Sequence, residues 1–133
     1  RRELDRIGIN NALRNQLRSA IAVVDLYAAD VGLRRASAER LLGEVDGDLA
    51  GPLAEVIEEE PDARVRERLV QALAIYRLEQ GELEAIDDLQ GSLHPRVRVA
   101  LNRAANGDDP IVADAAREAL NGIEQMLKLN RAA

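Results

Sequence analysis

Residues 60–78, EPDARVRERLVQALAIYRL, decide how the chain folds. The Pro61–Asp62 pair is a turn and helix-start signal, and Val65, Leu69, Ala72, Leu73 and Tyr76 follow at three- and four-residue steps. At about 3.6 residues per turn that spacing puts them on one face of a helix. Just upstream, residues 48–60 form a second amphipathic run with Leu53, Val56 and Ile57 on one side. Neither run can bury its apolar stripe alone. Two such helices joined at a proline turn are the unit of a helical repeat.

Reading outward, a first helix is expected over about 11–29, capped by Asn10 or Asn11, after a charged lead-in at 1–9. Its expected buried face is Leu13, Leu17, Ala20, Ile21, Val24 and Ala28. Asp30-Val31-Gly32 breaks it, and a second helix over about 33–45 is expected to bury Leu33, Ala36, Leu41, Leu42 and Val45. Asp48 is the expected cap of the third helix, with Pro52 tolerated in its first turn. That helix ends on Glu58-Glu59-Glu60, an unfavourable place for carboxylates that Arg64 or Arg68 is expected to offset. The fourth runs to about 79. Beyond Gly81 come a short helix at 82–89, another at 96–106 and a last at about 110–129, the last with Val112, Ala116, Ala119, Leu120, Ile123 and Leu127 on one face.

The predicted class is therefore all-α, about seven helices in a single domain over 1–133. The pairs fall at approximately 11–45, 48–79 and 82–129. The first apolar residues after successive turns, Leu33, Val65 and Val97, are 32 residues apart, whereas Val112 follows after only 15, so the period is disturbed in the second half.

Composition narrows the function. Aromatics are only 2% of the chain, without Phe or Trp, so leucine, valine, isoleucine and alanine must build the core. That favours close helix packing over a sheet. The formal charge of −6 argues against a general nucleic-acid binder, which needs a basic surface. Cysteine is absent, which removes disulfides, thiolate zinc sites and thiol nucleophiles. No run of apolar residues is long enough to span a bilayer. The chain opens without an initiator Met or signal-peptide pattern and reads as a piece of a longer protein.

The candidate chemistry is thin. Asp46-Gly47-Asp48 begins like a calcium loop but has Ala50 and Ile57 where ligands belong, so it reads as a capping turn. His94, the one histidine, lacks a metal-ligand partner at helical spacing and reads as a solvated turn residue. Two acidic groups, Glu58 to Asp62 and Glu82 to Asp88, read as solvated helix faces, not as acid–base pairs. Tyr27 and Tyr76, late in their helices, are candidate partner contacts, since tyrosine is enriched in interface cores. No catalytic residue, cofactor or metal is expected.

The segments PDARVRERLVQAL (61–73), HPRVRVALNRA (94–104) and DDPIVADAAREALNGI (108–123) resemble HEAT-like repeats, in which an Asp-Pro-type turn precedes Val-Arg. The resemblance implies a short α-solenoid of antiparallel helix pairs braced by Asp–Arg pairs, with Asp62 and Arg66 as the bracing pair. Arg34 and Arg98 follow Leu33 and Val97 in the same place, and Ala113 departs from the pattern.

A narrower resemblance spans nearly the whole chain. INNALRNQLRSAIAVVDLYAADVGLRRASAERLL (9–42) looks like the region before the membrane spans of urea-type permeases in the branched-chain amino acid ABC transporter family. Asn10, Asn11, Leu13 and Arg14 match its opening, and Leu33, Arg34, Ala36, Ala38 and Glu39 its second helix. The ending ALNGIEQMLKLNRAA (119–133) is similar to the helix leading into the first span. The resemblance implies a non-catalytic, extracytoplasmic (periplasmic) domain whose partners are transporter subunits or a substrate-binding protein. Membrane attachment would come only through the part of the parent chain beyond residue 133. The rival reading is a free-standing HEAT-type interaction scaffold. A HEAT-like bilin lyase would instead need an aromatic-lined pocket, for which this composition is poor.

Overall fold

Helix α4, Ala63–Glu79, lies at the centre of the molecule and touches α2, α3, a 3₁₀ helix and α5. A computed structural model of the chain describes residues 2–132. In order, the elements are α1 (Arg2–Leu26), α2 (Val31–Leu41), α3 (Gly47–Glu59), α4, the 3₁₀ helix Leu83–Asp88, α5 (Pro95–Ala105) and α6 (Pro110–Ala132). The protein is all-α, with seven helices and no strand among the described residues.

The α4 helix forms for reasons visible in its ends. Asp62 caps it by accepting the Val65 N–H at 2.9 Å. At the other end Gly81 takes φ +84°, the left-handed conformation that only glycine adopts without strain. The Gly81 N–H then reaches the Leu78 carbonyl and the Glu82 N–H reaches Arg77, closing a Schellman cap. Between these ends Val65, Leu69, Ala72, Ala74, Ile75 and Leu78 are buried. Hiding a leucine-sized side chain such as Leu69 contributes about 2 kcal/mol apiece.

The 32-residue step is visible in the caps. Asp30, Asp62 and His94 hold corresponding places, each accepting a backbone N–H at the head of α2, α4 and α5. Helices one step apart touch: α1 meets α3, α2 meets α4, and α4 meets α5. Asp109 starts α6 out of step by accepting the Ile111 N–H at 3.0 Å, and α6 then packs along α5. On α6, Val112, Ala113, Ala116, Ala119 and Ile123 are buried, with Leu120 and Leu127 packed beside them.

The first two helices depart from expectation. Residues 1–9 were expected as a non-helical lead-in, yet α1 is helical from Arg2 onward; Arg1 lies outside the described residues. Its apolar stripe is not buried. Leu13, Leu17, Ile21 and Val24 are all more than half exposed, and the helix packs instead through Ala22, Val23 and Leu26. At about 100° per residue those three lie on the opposite side from the stripe. On α2, Leu33 and Ala36 are likewise exposed, while Ser37, Ala38 and Leu41 face inward. Apolar spacing marks a face, but a face is buried only if a neighbour exists on that side. Asp46, not Asp48, caps α3, accepting the Leu49 N–H at 2.9 Å.

Candidate interaction surface

Where one helix hands over to the next, arginines serve carbonyls of the turn between them. Arg34 donates from Nη1 to the carbonyls of Ala28 and Ala29, both at 2.9 Å. One step later Arg66 donates from Nη2 to the Glu60 carbonyl at 2.7 Å. Arg98, at the third such position, keeps its Nε buried with no hydrogen-bond partner among the described residues.

The bracing that the HEAT-like resemblance implies for Asp62 and Arg66 runs through other atoms. No ion pair joins those two among the described residues. Asp62 is occupied with its cap, and the Val65 N–H holds its carboxyl below the usual aspartate range despite some desolvation. The cross-link is Arg34 to Glu60: Nε donates to both carboxylate oxygens, at 3.2 and 3.1 Å, with the Glu60 side chain only 2% exposed. The Asp62 N–H adds a third donor at 3.1 Å. Glu60, read from sequence as a misplaced surface charge, is thus a buried and fully served carboxylate.

A second polar cluster ties α2 to α4 and α5. Glu39 accepts from Arg68 Nε at 2.9 Å through one oxygen and meets His94 Nε2 at 2.8 Å through the other. His94 Nδ1 accepts the Arg96 N–H at 3.1 Å, so the neutral ring carries its proton on Nε2 and gives it to Glu39. Arg68 also reaches the buried Gln71, and Arg96 donates to the Leu42 carbonyl at 2.8 Å. The expectation of a solvated His94 is therefore corrected. It is a half-buried capping and cross-linking residue, standing where the two preceding steps have aspartate.

The tyrosines separate. Tyr27 is exposed after the end of α1 and borders a groove of about 300 Å³ with Ala28, Ala29, Val56 and Glu59. Partial desolvation, then the charge of Glu59, push its phenol above the usual value. Tyr76 is half-buried in the core's margin, its hydroxyl lying over Gly47, where an added methyl would come within 3.3 Å. Nothing in the fold brings the two rings to one site. A groove of about 490 Å³ between α1 and α2 is lined by Arg18, Ile21, Ser37, Arg40 and Glu44 among others.

No family model, curated protein or solved structure matches the chain. Among the described residues no cluster of three or more histidine and carboxylate side chains is placed to hold a metal ion. No described helix is long and apolar enough to cross a membrane. What the surface offers is contact area: the exposed α1 stripe, the exposed Leu33 of α2 and the α1–α2 groove.

Proposed function

We propose that the chain is a non-catalytic interaction domain of an ABC-type permease for urea, short amides or branched-chain amino acids, folded as a short HEAT-like solenoid. In this reading it lies on the extracytoplasmic side and contacts another transporter subunit or the substrate-binding protein. One observation carries it. Of the residues that match the permease region, Arg34, Ala38 and Glu39 are held within the fold, whereas Asn10, Asn11, Leu13, Arg14, Leu33 and Ala36 are exposed, so packing within this chain gives no reason for those six. A surface used by a partner does.

The test is the parent chain. Reading onward from residue 133 should reveal apolar segments of about 20 residues, each long enough to span a bilayer. Fusing a reporter active only outside the cytoplasm should give signal in this domain. A polar continuation, or a reporter active only in the cytoplasm, would contradict the transporter reading and leave the free-standing scaffold.

A further inference from the structure

The exposed stripe on α1 sits in the register of residues that α3 buries. One 32-residue step separates Leu17 from Leu49, Ile21 from Leu53 and Val24 from Val56. Leu53 is 0% exposed, whereas Ile21 is 56% exposed. The same holds on the companion helix: Leu33 is 57% exposed, while Val65 and Val97, its counterparts at later steps, are fully buried. All three of Leu49, Leu53 and Val56 belong to the core, and Leu49 and Val56 border grooves that α1 residues also line. The outer face of α1 and α2 therefore has the pattern of a helix-packing surface with no helix on it.

Charge says what kind of helix fits. From Arg6 to Val24, α1 contains Arg6, Arg14 and Arg18 and no carboxylate, in a chain of net charge −6. Arg6 lies in line with Leu13, Leu17 and Val24 by heptad spacing, and Arg18 borders the groove beside Ile21. All three arginines are exposed. A second copy docking face to face would set these arginines against themselves. The exposed side of α6 mixes Ile111, Met126 and Leu129 with Asp114, Glu118 and Glu124, and a head-to-tail second copy is an occupant that the sedimentation experiment below separates from a partner helix.

We propose that the outer face of α1 and α2 is a docking surface for an acidic amphipathic helix of a partner protein. That helix presents leucine-like side chains at i, i+4 and i+7 with carboxylates on its flanks. Its apolar stripe covers Leu13, Leu17, Ile21, Val24 and Leu33, and its carboxylates meet Arg6, Arg14 and Arg18. The inference deepens the interaction-domain reading by naming the face and the partner's chemistry. Its test uses this protein alone, so its failure is separable from that of the transporter reading.

The probe is a fluorescein-labelled 18-residue helical peptide with that leucine stripe and glutamate flanks, compared by anisotropy with the same stripe flanked by lysines. The glutamate peptide should bind at least ~10-fold more tightly, and its affinity should fall as salt rises. Leu17→Asp should weaken it by ~10-fold or more, with helicity and melting temperature unchanged because Leu17 is exposed. Arg14→Glu with Arg18→Glu should reverse the preference between peptides. Equal binding of both peptides, or of neither, would overturn the proposal. So would a concentration-dependent dimer in sedimentation that Leu17→Asp dissolves, which would make a second copy the occupant. Leu17-dependent binding to phosphatidylglycerol vesicles, with no binding of the glutamate peptide, would assign the face to a lipid surface instead.

Discussion

Helices α1 and α4 carry apolar side chains at the same helical spacing, yet α4 is the most enclosed element and α1 one of the least. Val65, Leu69 and Ala72 are wholly hidden, because α2, α3, α5 and the 3₁₀ helix surround them. Leu13, Leu17, Ile21 and Val24 have neighbours only on the far side of their helix. The contrast teaches that amphipathic spacing encodes a capacity to pack and that topology decides whether the capacity is used. In a helical array, a helix flanked on both sides buries both of its faces, while one flanked on a single side buries one.

The strongest way to break this comparison is to place a charge on each helix. Leu69→Asp should unfold the domain, since an unpaired carboxylate in the apolar interior costs several kcal/mol and total stability is about 5–15 kcal/mol. Leu17→Asp should leave the thermal melt within about 0.5 kcal/mol of the parent, as exposed substitutions do. Equal losses from the two would refute the difference in burial.

Next in size is the link between the two regions. Arg34→Ala strands the buried Glu60 carboxylate and should cost about 3 kcal/mol in chemical denaturation. Replacing Arg34 and Glu60 together by methionines should recover most of that loss, because the penalty lies in the unpaired charge. If the double variant were as unstable as the single one, the pair would owe its importance to something other than charge.

Asp46→Ala removes the α3 cap and should cost about 1 kcal/mol, with Asp46→Asn nearly neutral. The smallest effect is one of pH. Asp62 has a folded-state value below its unfolded one, so its contribution is present above about pH 4, the ordinary aspartate range. That contribution is lost as pH falls through the lowered folded value. Asp62→Asn should flatten the acid limb of stability against pH while changing the neutral plateau less. An unchanged acid limb would show that the Val65 N–H does not hold the charge.

The helices themselves were legible in the sequence, because proline and glycine punctuation and the apolar period are local signals. The face of α4 from Val65 to Tyr76 and that of α6 from Val112 to Leu127 follow from spacing alone. The 32-residue step was visible in Leu33, Val65 and Val97, although the caps at 30, 62 and 94 express it more sharply. What spacing could not give was anything that depends on a distant partner. Arg34 finds Glu60 across 26 residues, and His94 finds Glu39 across 55. Asp62 and Arg66 were paired only through the HEAT-like resemblance; in the fold Asp62 is taken up by the Val65 N–H and Arg66 by the Glu60 carbonyl. The open face of α1 was invisible for the same reason: the sequence shows a stripe, not what stands opposite it.

Amide hydrogen exchange across the whole chain tests the central contrast most directly. Amides of α1 between residues 6 and 18, with no tertiary burial to hold them, should exchange near the rate of a fraying helix. Those of α4 from Leu69 to Leu78 should exchange only through global unfolding, several orders of magnitude more slowly. Protection of the two segments to the same degree, in a protein verified as monomeric, would mean that the α1 stripe is covered within the chain itself and would contradict the account.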